Sequence, residues 1–116
     1  MEMPVAVEAV DWYAGEASLH LEDGRLSGTG GINRLTGVYG VEGSSLEFGP
    51  IATTKVAGPP ERMDRECRFL ADLARVVRWS IDNGQLVLED AAGTVVLRLR
   101  SGSEARQSGD RALHQA

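Results

Sequence analysis

Two dipeptides that favour tight turns constrain the fold of this 116-residue chain more than any other feature. Asp23-Gly24 and Asn83-Gly84 each separate two short segments in which apolar and polar residues alternate. Both positions of the favoured two-residue hairpin turn require a positive φ, which these residue types adopt more readily than most. Alternation with a period of two is typical of a strand that buries one face. The sequence therefore predicts two antiparallel hairpins.

Other segments predict further strands. Apolar residues alternate over residues 46–48, in a strand predicted to end at Gly49-Pro50, and again over residues 95–99. Residues 5–13 predict a first strand with a bulge near Glu8. The 14 glycines of the chain fit many short connections. Together these patterns predict a small antiparallel sheet that curls on itself.

One segment has the periodicity of a helix instead. Pro60 fits the first helical turn, where its missing N–H costs nothing. Apolar residues then recur at spacings of three and four, as a stripe that neighbouring residues widen: Met63, Cys67, Leu70 and Ala74, with Phe69 and Leu73. The pattern predicts one amphipathic helix of about four turns that packs this stripe, Cys67 included, against the sheet.

Length and composition bound the class of protein. The chain is long enough for one hydrophobic core, so residues 1–100 are predicted to form one domain, and the unpatterned residues 101–116 a disordered tail. A net charge of -5 argues against a nucleic-acid partner. One cysteine allows no internal disulfide, and the chain shows neither a signal-like start nor an apolar run long enough for a transmembrane segment. We expect a cytoplasmic protein.

The sequence contains no recognisable catalytic motif. The glycines of residues 28–31 lack the spacing of nucleotide-binding loops, so we interpret them as structural. His20 and His114 have no Cys or His at ligand spacing, which predicts a solvated strand histidine and no metal site. Cys67 has no base near it in sequence. We therefore expect a protein that is not an enzyme and has no cofactor.

Asn33 and Arg34 lie within the glycine-rich segment and allow two interpretations. The Asn33 amide could bind several nearby backbone groups and clasp the bend, as asparagine often does in irregular segments. An exposed Asn-Arg pair could equally form a recognition surface. The residue types favour the clasp and leave recognition open.

Residues 26–39, Leu-Ser-Gly-Thr-Gly-Gly-Ile-Asn-Arg-Leu-Thr-Gly-Val-Tyr, resemble the signature of the META domain (HslJ-like) family. That signature typically reads Ser-Gly-x-x-Gly-Cys-Asn-x-x-x-Gly-x-Tyr. The similarity continues through residues 46–55, 60–73 and 79–99, in the order that the family has them. It implies a mainly β fold with one α-helix (α+β), in which a compact barrel-like antiparallel sheet of about 7–8 strands packs against the helix.

Two positions depart from the family pattern. Ile32 and Gly58 stand where the family usually has cysteine. The simultaneous loss of both implies that the family cysteines act as a pair and that this chain lacks their bridge. Many relatives resemble envelope proteins, whereas the loss of a disulfide fits a cytoplasmic relative.

The resemblance implies little chemistry. The family is bacterial in part, is associated with heat response, antibiotic tolerance and virulence, and has no established catalytic residues to transfer. Its recurrent Asn, Thr and Glu fall at Asn33, Thr54 and Glu66, which with Arg34 are the candidate binding residues, although these positions could be structural. We expect a non-enzymatic, stress-related binding or accessory module for an unknown protein partner, as a monomer or homodimer. The alternative is a carrier of a small hydrophobic ligand or lipid in a barrel cavity.

Overall fold

Residues 7–101 are described by the structure, a computed structural model, and they form eight strands and one helix. In chain order these are β1 Asp11–Ala14, β2 Ala17–Glu22, β3 Arg25–Thr29, β4 Arg34–Glu42, β5 Ser45–Thr53, α1 Pro60–Arg75, β6 Arg78–Asp82, β7 Gln85–Glu89 and β8 Val95–Ser101. Each strand pairs antiparallel with the next, and β8 pairs with β1, so the strands close into a barrel. The predicted fold class, a mainly β barrel-like sheet with one helix, is confirmed.

Both predicted hairpin turns are present. Asp23 and Gly24 have φ values of 54° and 79°, and Asn83 and Gly84 have 55° and 78°. Positive φ at both positions is the geometry of a type I′ turn, whose twist matches that of the flanking strands. These turns fix the register of the β2–β3 and β6–β7 ladders.

Large apolar side chains fill the barrel interior. Those with almost no exposed surface are Trp12, Leu19, Leu21, Leu26, Leu35, Leu46, Leu73, Leu86, Leu88 and Leu99. Most alternate along their strands with exposed residues, as the period of two requires. The helix adds Phe69 and Leu73 to this core and packs against β5 and β8. The interior is thus occupied by the protein's own side chains.

The predicted first strand is wrong over residues 7–10. These residues form bends and a turn, with Ala9 at a φ of 63°, and β1 begins only at Asp11. The turn is tied to the barrel because the Trp12 indole donates to the Val7 carbonyl at 3.0 Å and the Tyr39 hydroxyl donates to the Glu8 carboxylate. These side-chain contacts compete with strand pairing. Residues 5 and 6 of the predicted strand lie outside the described residues.

The predicted end of the fifth strand is also wrong. β5 continues through Gly49-Pro50 to Thr53. The ladder pairs Gly37 with Ile51 and Tyr39 with Phe48, so two residues of β5 lie opposite one residue of β4. Such a bulge accommodates a proline, which has no N–H to donate to a regular ladder.

The helix is confirmed, and the face predicted to pack against the sheet is right for Phe69, Leu70 and Leu73 but wrong for the rest of the stripe. α1 buries Phe69 and Leu73 of the predicted stripe together with Glu66, whereas Met63, Cys67 and Ala74 of the stripe are exposed. The buried face is rotated by roughly 100°, about one residue of the helix, from the line through Met63, Cys67, Leu70 and Ala74. Burial of the charged Glu66 decides this orientation, and apolar periodicity cannot predict it.

Two further expectations concern the ends of the chain and the membrane. Ser101, where the tail was predicted to begin, is the last residue of β8, and residues 102–116 lie outside the described residues. Within the described part of the chain, no helix is long and apolar enough to cross a membrane.

Candidate functional site

A hydrogen-bond network with a buried centre joins three segments that are far apart in sequence. Asn33 lies between β3 and β4, Thr54 and Val56 follow β5, and Glu66 lies in the first half of α1. Asn33 and Glu66 are only 8% and 7% exposed. We call these four residues the Asn33 network.

The Asn33 side chain uses its full hydrogen-bonding capacity within the network. Its Nδ2 donates to Glu66 Oε1 at 2.7 Å and to the Val56 carbonyl at 3.2 Å. Its Oδ1 accepts from the Thr54 hydroxyl at 2.8 Å and from the Val56 N–H at 2.6 Å. An amide side chain has two donor hydrogens and two acceptor lone pairs, so Asn33 has none left for a ligand.

The Glu66 carboxylate is held by neutral donors. Oε2 accepts from the N–H groups of Ile32 and Asn33 at 3.0 and 2.6 Å, and Oε1 accepts from the Asn33 amide. Burial raises the pKa of Glu66, but these hydrogen bonds outweigh burial and hold its pKa below the usual value. Glu66 is therefore ionised at neutral pH, and it fastens the helix to the loop that precedes β4.

The glycine-rich segment makes room for this carboxylate. A Cβ built on Gly30 would lie 2.4 Å from Glu66 Cγ, far inside van der Waals contact. A Cβ on Gly28 would lie 2.1 Å from the Ser18 carbonyl oxygen of the neighbouring strand. Both glycines are thus required by close approach of other atoms, which agrees with the structural interpretation of this segment.

The structure brings together three of the four candidate residues named from sequence. Asn33, Thr54 and Glu66 share one network, and the clasp interpretation of Asn33 matches its geometry. The Arg34 side chain stays outside; only its backbone N–H takes part, donating to Thr54 Oγ1 at 3.0 Å. The network stabilises the junction of loop and helix, and a binding role for these residues stays a prediction.

Sequence reasoning missed a surface cleft of about 300 Å³ between α1, the β1–β2 turn and β8. Three arginines of α1 line one side, and the apolar lining residues are Ala14, Ala17, Phe69 and Leu97. We call it the arginine cleft. The signal for it lies in the spacing of Arg62, Arg65 and Arg68, which places three cations along one flank of a helix.

The charges of the arginine cleft are only partly paired. Arg62 Nη2 donates to Glu16 Oε2 at 3.0 Å. Asp72, the other acidic residue of the cleft, lies 3.7 Å from Arg75. Among the described residues, neither Arg65 nor Arg68 has an acidic partner within ion-pair distance. The cleft therefore presents two unpaired guanidinium groups beside an apolar surface.

Comparison with known proteins identifies the family to which this chain belongs. A family model described as META domain matches residues 5–103 of the chain. The chain belongs to the META domain family. A solved structure described as "NMR structure of the protein from Burkholderia xenovorans" is similar with a TM-score of 0.68, at 19% identity, over 88% of this chain and 92% of that one. At that identity the likeness shows the fold alone. No curated protein matches the sequence.

In this META domain, the two positions that stand where relatives usually have cysteine lie side by side. A Cβ on Gly58 would lie 2.7 Å from Cδ1 and 3.2 Å from Cγ1 of Ile32. Because Cγ1 is one bond from the Ile32 Cβ, the two Cβ positions lie within about 5 Å of each other, near the range of roughly 3.5–4.5 Å that disulfides span. The Ile32 side chain thus occupies the space beside Gly58.

We expect acid to destabilise this META domain partly through Glu66. A carboxyl whose folded pKa is lowered stabilises the fold fully above its unfolded pKa, about 4.3, and this contribution is lost as pH falls through the folded pKa. Urea unfolding from about pH 6 down to about pH 3 measures the effect. Glu66→Gln should flatten the pH dependence, and the exposed Glu61→Gln should preserve it. Equal slopes in all three proteins would exclude Glu66 as the source.

His20 lies in a second polar cluster, on the surface of the β1–β2 ladder. Its Nδ1 is 2.7 Å from Asp11 Oδ1 and its Nε2 is 2.8 Å from Glu22 Oε1. These hydrogen bonds raise the pKa of His20, and the one with Glu22 has the largest effect. Both ring nitrogens are occupied, so neither is free to act as a base. Within residues 7–101, no group of three His, Cys, Asp or Glu residues could hold a metal ion.

Proposed function

We propose that this META domain is a non-enzymatic binding module that holds an acidic segment of a partner protein in the arginine cleft. One observation carries the proposal: Arg65 and Arg68 lack acidic partners in the described chain and flank an apolar surface. Guanidinium groups form bidentate hydrogen bonds with carboxylates, so an acidic partner complements them. The apolar residues beside them would receive one apolar side chain of the same segment.

The electrostatics of the whole chain support this choice of partner. The net charge of the chain is -5, so most of its surface would repel an acidic segment. A row of three arginines on one helix flank is a local exception to that charge. Two of the three are unpaired, so a ligand carboxylate would not have to displace an existing ion pair. Electrostatic complementarity of this kind contributes mainly to specificity and to the association rate.

The non-enzymatic part of the proposal rests on the residues that could otherwise carry chemistry. Asn33 and Glu66 use their hydrogen-bonding groups on each other and on the backbone. His20 binds a carboxylate at each ring nitrogen. The exposed Cys67 makes no hydrogen bond to a base among the described residues.

We expect the peptide Asp-Glu-Leu-Phe-Glu-Asp to bind in the arginine cleft. In a titration of the ¹⁵N-labelled protein, the backbone amide signals of Ala17, Phe69 and Leu97 should shift. Arg65→Glu/Arg68→Glu should weaken binding at least tenfold, because charge-assisted hydrogen bonds are lost and repulsion replaces them.

The matched control for this titration is Arg25→Glu/Arg34→Glu, which changes the net charge equally on exposed arginines outside the cleft. It should leave the affinity within about twofold, apart from the general charge effect that salt screens. If the control variant lost binding and the cleft variant kept it, the recognition surface would lie at Arg34, as the second interpretation of the sequence holds. An absence of any shift would contradict the proposal.

A stress-related role and a cytoplasmic location belong to the same proposal. The first is supported by the resemblance to relatives associated with heat response. The second is supported by Ile32 and Gly58, because a fold that dispenses with the cysteine pair fits a reducing compartment.

The alternative function, a carrier of a small hydrophobic ligand or lipid, is favoured by the apolar surface of the arginine cleft. Side chains fill the barrel interior, so such a ligand would lie in the cleft and would need an acidic head group for Arg65 and Arg68. Native mass spectrometry after mild purification separates the two functions. A co-purifying hydrophobic ligand supports the carrier, and an empty protein supports the binding module.

A further inference from the structure

The arginine cleft already holds one carboxylate of its own chain. Glu16 lies in the turn between β1 and β2, and its Oε2 accepts from Arg62 Nη2 of α1 at 3.0 Å. Gly15, just before it, has a φ of 61°, which glycine adopts without strain, and the turn brings the glutamate to the helix. Both partners of this ion pair line the cleft. Glu16 therefore binds one of the three arginines as a ligand carboxylate would.

Glu16 fills the end of the cleft that borders the glycine-rich segment. A Cβ built on Gly31 would lie 3.7 Å from Glu16 Oε1, and Gly30 is a lining residue of the cleft. Neither glycine has a side chain that could fill this end. If the Glu16 side chain rotated toward solvent, the cleft would therefore gain both space and the guanidinium of Arg62.

The ion pair of Glu16 is weak enough for a ligand to displace. The side chains of Glu16 and Arg62 are 49% and 48% exposed, and exposed ion pairs contribute little to stability. Glu66, the other glutamate close to Gly30, is buried and accepts three hydrogen bonds. Glu66 is thus fixed in place, whereas Glu16 can leave Arg62 at little cost.

A second carboxylate borders the row of arginines at its other end. Asp72 lines the cleft about one helical turn beyond Arg68. From Arg62 to Asp72 the helix rises by about 15 Å. Between them lie Arg65 and Arg68, which have no acidic partner in the described chain. A longer run of acidic residues would meet Glu16 or Asp72, and the like charges would repel it. The cleft thus favours a ligand with about two neighbouring carboxylates.

We propose that Glu16 determines the specificity of the arginine cleft by competing with ligand carboxylates for Arg62. This inference rests on the proposed function and adds the class of ligand, a segment with two neighbouring carboxylates and not a longer polyanion. A third ligand carboxylate gains nothing while Glu16 occupies Arg62, because it must displace Glu16 and leave that negative charge beside itself. Specificity of this kind comes from disfavouring the wrong ligand.

Isothermal titration calorimetry with two peptides tests this proposal. Asp-Glu-Leu-Phe-Glu-Asp and Asp-Glu-Glu-Leu-Phe-Glu-Asp differ by one carboxylate. In the wild type the added carboxylate should change the affinity by less than about twofold. In Glu16→Gln it should raise the affinity by about fivefold or more, because Arg62 becomes available for a charge-assisted hydrogen bond. Glu47→Gln is the matched control, since it removes the same charge at an exposed residue of β5 outside the cleft, and it should behave like the wild type.

Arg62→Gln provides a second measurement of the same competition. It should weaken binding of the longer peptide by about fivefold or more in the Glu16→Gln protein, and by less than about twofold in the wild type, where Glu16 already engages Arg62. Equal effects of Arg62→Gln in the two backgrounds would overturn the competition. So would a preference for the longer peptide that is as strong in the wild type as in Glu16→Gln.

These outcomes separate the competition from the proposed function. If the shorter peptide bound in the cleft and Glu16→Gln had no more effect than Glu47→Gln, only the role of Glu16 would be overturned. If neither peptide bound to any of these proteins, the role of Glu16 and the binding function would both be overturned. Binding to Glu16→Gln alone would support the competition and would show that the wild-type cleft is closed to these peptides.

Discussion

Asn33→Ala is expected to lower the free energy of unfolding by about 3–5 kcal/mol. The substitution removes four hydrogen bonds at a buried position and leaves the Val56 N–H, the Thr54 hydroxyl and part of the Glu66 carboxylate without their partner. Each unsatisfied buried polar group costs about 1–3 kcal/mol, and a charged group costs more. Urea unfolding followed by tryptophan fluorescence measures the loss.

The control for this variant is Arg34→Ala, one residue further along the chain. The Arg34 side chain is exposed and takes no part in the Asn33 network, so its removal should change stability by no more than about 0.5 kcal/mol. Similar losses in the two variants would mean that this segment is sensitive to any substitution. A loss below about 1 kcal/mol for Asn33→Ala would show that water replaces the network at little cost.

The oxidised double variant Ile32→Cys/Gly58→Cys is expected to be more stable than its reduced form by about 3 kcal/mol. The two Cβ positions lie at nearly the distance that a disulfide spans, and the substitution of Ile32 removes the side chain that would clash with a new Cβ at Gly58. The bridge would close a loop of about 26 residues, whose unfolded-state entropy it reduces. For a domain of this size, the melting temperature should rise by roughly 10–20 °C.

The reduced form of the same protein is the matched control, because it has the same side chains and differs only in the bond. Ile32→Cys alone should show no dependence on the oxidant beyond that of the wild type. If the double variant formed no intramolecular bond under oxidising conditions, the two positions would not be neighbours in the way the structure shows. A bond that formed without stabilising the fold would indicate strain in the native geometry.

The parts of the fold that depend on local residues could be predicted from sequence. Asn83-Gly84 and Asp23-Gly24 specify their turns through the φ values that they tolerate. The helix start at Pro60 follows from the same kind of local preference. The path of β5 through Pro50 could not be predicted this way, because the bulge that tolerates proline forms only against the partner strand β4.

The candidate site shows the same limit. Asn33, Thr54 and Glu66 could be named from the family resemblance, and the clasp interpretation of Asn33 followed from the chemistry of its side chain. Their mutual contacts could not be predicted, because Asn33 and Glu66 are 33 positions apart and meet only when the helix is in place. The prediction of the packed helix face was wrong in part for the same reason: apolar periodicity favours burial of Cys67, and hydrogen bonding buries Glu66 instead.

Asn33 and Glu66 therefore explain why a glycine-rich segment, an asparagine and a helical glutamate occur together in this chain. Gly30 leaves room for the carboxylate, the carboxylate accepts from the loop, and the asparagine connects both to the segment after β5. These residues hold the helix in the orientation that presents Arg65 and Arg68 on one flank. The proposed binding function would therefore depend on the signature positions only indirectly, through the orientation of the helix.

A double-mutant cycle of Asn33→Ala and Glu66→Gln, measured by urea unfolding, tests this central claim most directly. If the two residues form one structural unit, the double variant should lose about 2 kcal/mol less stability than the sum of the two single variants. Losses that add within about 0.5 kcal/mol would contradict the account, because they would show that Asn33 and Glu66 stabilise the domain independently.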